Sequence, residues 1–148
     1  MPVTRLSRRW ATEPFFPTSA AYLAQALLAQ GSDEEAERFA RLSDELAAAD
    51  DLLTQMLWRG VEARILAARR RFEEAERLAR ESVELAESTD FVNHRGDALV
   101  DFAIVLRAAG RPDEASAALA DAVRLYEQKG NAVAADRARA EVAALGRI

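Results

Sequence analysis

A nine-residue pattern returns three times along this chain. That self-similarity limits the fold before any single motif does, because a fixed period implies one structural unit stacked on copies of itself. Leu28-Ala29-Gln30-Gly31-Ser32-Asp33-Glu34-Glu35-Ala36 aligns with Ala67-Ala68-Arg69-Arg70-Arg71-Phe72-Glu73-Glu74-Ala75, and both align with Arg107-Ala108-Ala109-Gly110-Arg111-Pro112-Asp113-Glu114-Ala115. The closing alanines Ala36, Ala75 and Ala115 are 39 and 40 residues apart. Twelve positions before each stands another alanine (Ala24, Ala63, Ala103), and nine before each a leucine (Leu27, Leu66, Leu106). Two antiparallel helices approach closely only where their crossing lacks bulk, with a large apolar residue filling the groove beside it.

Glycine punctuates the units. The four prolines are Pro2, Pro14, Pro17 and Pro112, so none interrupts a helix between Thr18 and Arg111. Gly31, Gly110, Gly130 and Gly146 each follow an apolar-periodic segment, where a left-handed closing residue belongs. Ser32 and Glu35 have the spacing of a reciprocal capping box, and Pro112 suits the first helical position with Asp113 and Glu114 on the positive end of the dipole. Leu99, Phe102, Ala103 and Leu106 repeat at helical spacing, as do Leu78, Ser82, Leu85 and Ala86. Helices are therefore expected near 18–30, 33–49, 52–69, 72–88, 91–109, 112–129 and 132–145, with no room for a sheet. Residues 18–148 form one all-α domain. Residues 1–17, with Trp10, Phe15 and Phe16, read as an extended lead-in or the remnant of a preceding helix, and as the less closed end through which the chain would self-associate.

The small residue and large apolar residue on the first helix, with an alanine early on the second, resemble the tetratricopeptide repeat. The period exceeds the usual ~34 residues. The family's early tryptophan is replaced by Ala20, Arg59 and Leu99, and its closing proline by Ala48, Glu87 and Glu127. Long repeats of this kind resemble the C-terminal tails of bacterial signalling ATPases, a group with maltose-regulator-type transcription activators and ATPase-linked nucleotide cyclases. The stretches Thr89-Asp90-Phe91-Val92-Asn93-His94-Arg95-Gly96-Asp97-Ala98-Leu99 and Leu125-Tyr126-Glu127-Gln128-Lys129-Gly130-Asn131 carry that likeness. The resemblance implies an α-solenoid of about three helix pairs closed by a capping helix at 132–145, acting as a non-catalytic adaptor for a protein or peptide. The alternative it implies is a regulatory or oligomerisation tail, present here as a fragment. In such arrays the first helix of each pair lines a concave groove. The family's groove positions fall on Gln25, then Leu57 and Arg64, then Asp97, Ile104 and Arg107. Arg64 and Arg107 read either as solvated edge residues or as a clamp for an acidic side chain or chain terminus.

Other functions find little support. A net charge of −5, with no basic run beyond Arg8-Arg9 and Arg69-Arg70-Arg71, lacks the continuous footprint of a nucleic-acid binder. The absence of cysteine removes thiolate nucleophiles, disulfides and cysteine-based metal sites. No apolar run suits a membrane span or a signal peptide, so the expected location is the cytoplasm, and the Arg- and Ala-rich composition is typical of GC-rich bacterial coding. No glycine-rich phosphate cradle occurs and no cofactor is expected. The single histidine, His94, has Asp90 and Asp97 at helical spacing. It reads as a polar residue at a helix start rather than a metal or proton-transfer centre, since a metal needs three or four committed ligands. Glu34-Glu35, Glu73-Glu74 and Asp113-Glu114 occupy equivalent first turns, where negative charge stabilises the helix by roughly 0.3–1 kcal/mol. The Arg69-Arg70-Arg71 triplet occupies an inter-helix turn and reads as solvated, or else as a contact for an acidic partner.

Overall fold

Each repeat forms two antiparallel helices joined by a tight left-handed turn. The computed structural model describes residues 16–145, and these form seven helices. They are α1 (Phe16–Ala29), α2 (Asp33–Leu46), α3 (Leu52–Ala68), α4 (Phe72–Glu87), α5 (Val92–Ala108), α6 (Pro112–Lys129) and α7 (Ala132–Leu145). No strand occurs among the described residues. The chain is an all-α solenoid of three pairs, α1/α2, α3/α4 and α5/α6, with α7 packed on α6. The first helices pack in succession, α1 on α3 and α3 on α5.

Four turns share one hydrogen-bond pattern. The N–H groups of Ser32, Arg71, Arg111 and Asn131 reach the carbonyls of Leu27, Leu66, Leu106 and Tyr126 at 2.8–2.9 Å, which satisfies carbonyls that a helix end leaves without partners. The pattern needs positive φ at the preceding residue. Gly31, Gly110 and Gly130 supply it at +81°, +78° and +78°, whereas the second pair uses Arg70 at +65°. A Cβ in this region costs roughly 1–2 kcal/mol, so the Arg70 turn is strained relative to its glycine counterparts.

Some expected boundaries shift. α1 already includes Phe16 and Pro17, two residues before the expected start. α2 ends at Leu46 rather than 49 because Ala47 turns to extended backbone. Ser32 makes no side-chain cap bond. Asp51 does cap α3, its carboxylate accepting from the Thr54 N–H at 3.2 Å and from the Thr54 hydroxyl at 2.6 Å. Thr54 also meets Thr18 at 2.7 Å, tying α3 to α1. Residues 1–15, including Trp10 and Phe15, and Gly146 lie outside the described residues.

The repeat alanines form the crossings. Ala24, Ala63, Ala36, Ala75 and Ala115 are fully buried and Ala103 nearly so, with Ile65, Val61, Leu106 and Val105 among the largest buried side chains beside them. Each buried aliphatic side chain contributes roughly 1.5–3 kcal/mol. Two serines stitch the pairs from within. Ser43 Oγ donates to the Pro17 carbonyl and Ser82 Oγ to the Met56 carbonyl, each at 2.9 Å and each across 26 residues. The third pair has Ala122 and Gly96 at the equivalent positions, so it must be joined differently.

Candidate functional site

The third pair replaces the serine stitch with a tyrosine. Tyr126 on α6 lays its ring over Gly96 on α5, so closely that a Cβ there would stand 2.6 Å from the ring. Its hydroxyl donates to Asp97 Oδ1 at 2.5 Å. Burial, with the adjacent Asp97 charge, pushes the Tyr126 hydroxyl well above the usual phenol range. One turn along α5, the Asp101 carboxylate lies against Gly60 of α3, so closely that a Cβ there would have to displace its Oδ2. Arg64 pairs with it at 3.6 Å. Burial raises the Asp101 carboxyl to about 7 against the pull of Arg64, and the Asp97 charge adds to the rise. The Tyr126 contacts close the third pair from within, and the Asp101 contacts fix the seam between the second and third pairs.

Above this seam lies a groove of about 480 Å³. Its floor is apolar, from Val61 on α3 and Val100 and Ile104 on α5. Its walls are polar: Gln25 from α1, Arg64 from α3, Asp97 and Asp101 from α5, and Arg137 and Glu141 from α7. Arg137 has no carboxylate partner among the described residues. At its edge Arg107 pairs with Glu141 at 2.9 Å, joining α5 to α7. An apolar floor under a few fixed polar groups is the general form of a recognition site.

A family model for the tetratricopeptide repeat matches residues 54–128, which run from the start of α3 to the end of α6. The chain belongs to the tetratricopeptide-repeat family. The architecture of this repeat protein also extends to α1 and α2, which continue the same register toward the N-terminus. A solved structure of a TPR-like protein from Chlorobium tepidum TLS superposes with a TM-score of 0.64 at 24% identity, covering 90% of this chain and 98% of that one. No curated protein matches the chain in sequence.

Of the six residues expected in the groove, the structure brings Gln25, Arg64, Asp97 and Ile104 together on its lining. Arg107 lies beside them at the edge, facing Ile104 and Glu141. Leu57 does not belong to it. It is 5% exposed and packed with Ala21, Met56 and Ala98, because its place on α3 faces the neighbouring helices rather than the concavity. Arg64 and Arg107 are not free cations, since each already holds a carboxylate of a neighbouring helix. Partly exposed pairs of this kind are worth only ~0–1 kcal/mol and exchange partners at little cost. His94 has neither Asp90 nor Asp97 as a hydrogen-bond partner. Its Nε2 lies 3.0 Å from the Tyr22 hydroxyl and its ring packs edge-on to Phe91. Among the described residues no group of three or more His, Asp or Glu is placed to hold a metal.

The residues not anticipated are Asp101, Tyr126, Arg137 and Glu141. A signal for the first two was present. Among the described residues Gly31, Gly110 and Gly130 end helices, but Gly60 and Gly96 sit inside α3 and α5, where glycine costs about 1 kcal/mol relative to alanine. Such a glycine marks a close approach, here by Asp101 and Tyr126.

Proposed function

We propose that the chain is a non-catalytic adaptor that holds a segment of a partner protein along the concave face of its first helices. The observation that carries this reading is the groove itself. Its wall residues come from four helices and lie above an apolar floor, so a bound segment would touch every repeat at once. Gln25, Arg64, Asp97 and Ile104 are the contacts we assign, with Arg107 at the edge. The Arg64–Asp101 and Arg107–Glu141 pairs hold the walls in place when the groove is empty, and either arginine exchanges its carboxylate for one on the partner. No helix among the described residues is long and apolar enough to cross a membrane.

The test is selection from a displayed library of random dodecapeptides on the full chain, with affinities measured by fluorescence polarisation. Ile104→Glu places a charge on the groove floor, and Glu84→Ala alters an exposed residue of α4. Peptides that lose at least tenfold affinity on Ile104→Glu and none on Glu84→Ala support the assignment. Peptides that bind the Ile104→Glu protein unchanged, with an unchanged melt, refute it.

A further inference from the structure

Tyr22 and Phe91 are the two large aromatic residues the described chain leaves exposed, at 43% and 47%. They are not scattered. Tyr22 on α1 hydrogen-bonds His94 on α5, and Phe91, the residue before α5, packs edge-on against the same imidazole with ring centroids 5.9 Å apart. The three rings therefore form one continuous patch assembled from residues about 70 positions apart. It adjoins the groove, because Gln25 and Asp97, each three residues further along the same two helices, line it. Asp97 lies close enough to Tyr22 for its charge to act on the phenol, which burial and that charge together push upward.

Asp97 distinguishes this patch from incidental exposure. One of its oxygens accepts from Tyr126, and no cation pairs with the carboxylate among the described residues, although Asp101 and Glu141 on the same groove each have an arginine. An exposed aromatic patch beside an unpaired carboxylate is complementary to a cation with a flat, weakly hydrated face. We infer that the Tyr22, Phe91 and His94 rim, together with Asp97, forms the subsite that seats an arginine side chain of the bound segment. The guanidinium stacks on the rings and donates to the free oxygen of Asp97. An ammonium offers the charge without the planar face, so lysine fits less well. The inference rests on the groove being the binding face, and it adds the chemistry by which one position of the partner is read.

Peptides taken from the random dodecapeptide library test it, each compared with a version in which arginine is replaced by citrulline, which keeps the planar shape and removes the charge. The expected result is an enriched arginine at one position, an affinity loss of about tenfold with citrulline on the wild-type chain, and little further loss with citrulline on Asp97→Asn. Tyr22→Ala/Phe91→Ala provides a second variant that leaves the Tyr126 contact intact. Asp97→Asn keeps an acceptor for Tyr126, and unchanged melting of both proteins excludes a folding effect. Peptides that lose affinity on Ile104→Glu but show no arginine preference, or bind equally as citrulline, overturn the subsite while leaving the groove reading standing. Peptides indifferent to Ile104→Glu overturn both.

Discussion

The second and third helix pairs keep the same register, their helices starting 40 residues apart, but are joined by different chemistry. In the second, Ser82 reaches the Met56 carbonyl from within and Ala86 fills the space one turn further on α4. In the third, Ala122 and Gly96 take the serine and methionine places, and Tyr126, one turn beyond Ala122, lies over Gly96 and donates to Asp97. One joint is hidden and purely structural. The other ends on the Asp97 carboxylate at the groove wall, so the packing of the third pair also sets the position of a group we assign to recognition. A repeat can thus keep its spacing while replacing a core contact with one that supports a site.

The sharpest way to break the comparison is to put bulk at the crossing both pairs share. Ala63→Arg and Ala103→Arg each drive a charged side chain into a buried helix contact and should cost at least about 3 kcal/mol. Both should lower the thermal melt of the full chain sharply. Unchanged melts would mean the repeats are misaligned.

A smaller effect separates the two interior glycines. Gly96→Ala sets a methyl against the Tyr126 ring, which has nowhere to move, and should destabilise by about 1–2 kcal/mol despite alanine's better helix propensity. Gly60→Ala meets only the end of the Asp101 carboxylate, which can swing aside, so its stability should change little. Denaturant unfolding of the two proteins gives the contrast directly, and equal losses would contradict it.

Asp101 links the pairs and gives a pH signature. Its folded carboxyl titrates at about 7, above its ordinary 3.8. The unfolded chain therefore releases this proton first, and folding is increasingly penalised as pH rises from about 4 to about 7, with no further change above. Asp101→Asn removes the penalty. Relative to wild type, the variant should gain stability across that window, with a slope of at most about 1.4 kcal/mol per pH unit. A difference that stays flat from pH 4 to 7 would show that the carboxylate is solvated.

The smallest effect concerns the turns. Arg70→Gly replaces a strained left-handed arginine with the residue used at Gly31 and Gly110, and should raise stability by about 0.5–1 kcal/mol. A lower melting temperature would imply that the Arg70 side chain holds something its backbone strain offsets.

How much of this was legible in the sequence varied with the kind of contact. The alanine and leucine spacings located all seven helices to within three residues, because small crossings and glycine turns are short-range signals. Groove positions carried over from the repeat pattern placed Gln25, Arg64, Asp97 and Ile104 on one surface, and failed at Leu57, where the turn of α3 points the side chain into the core. Partner choice was not legible. Arg64 finds Asp101 and Arg107 finds Glu141 only because successive pairs stack with a particular twist, which no single repeat encodes. Tyr22 meeting His94 across 72 residues has the same origin.

The most direct measurement is backbone amide shift mapping by NMR on the full, isotopically labelled chain, titrated with a dodecapeptide selected on it. Shifts concentrated at Gln25, Val61, Arg64, Asp97, Val100 and Ile104, with α2 and α4 unmoved, are the predicted result. Saturable shifts confined to the outer helices α2, α4 and α6 would contradict binding along the concave face.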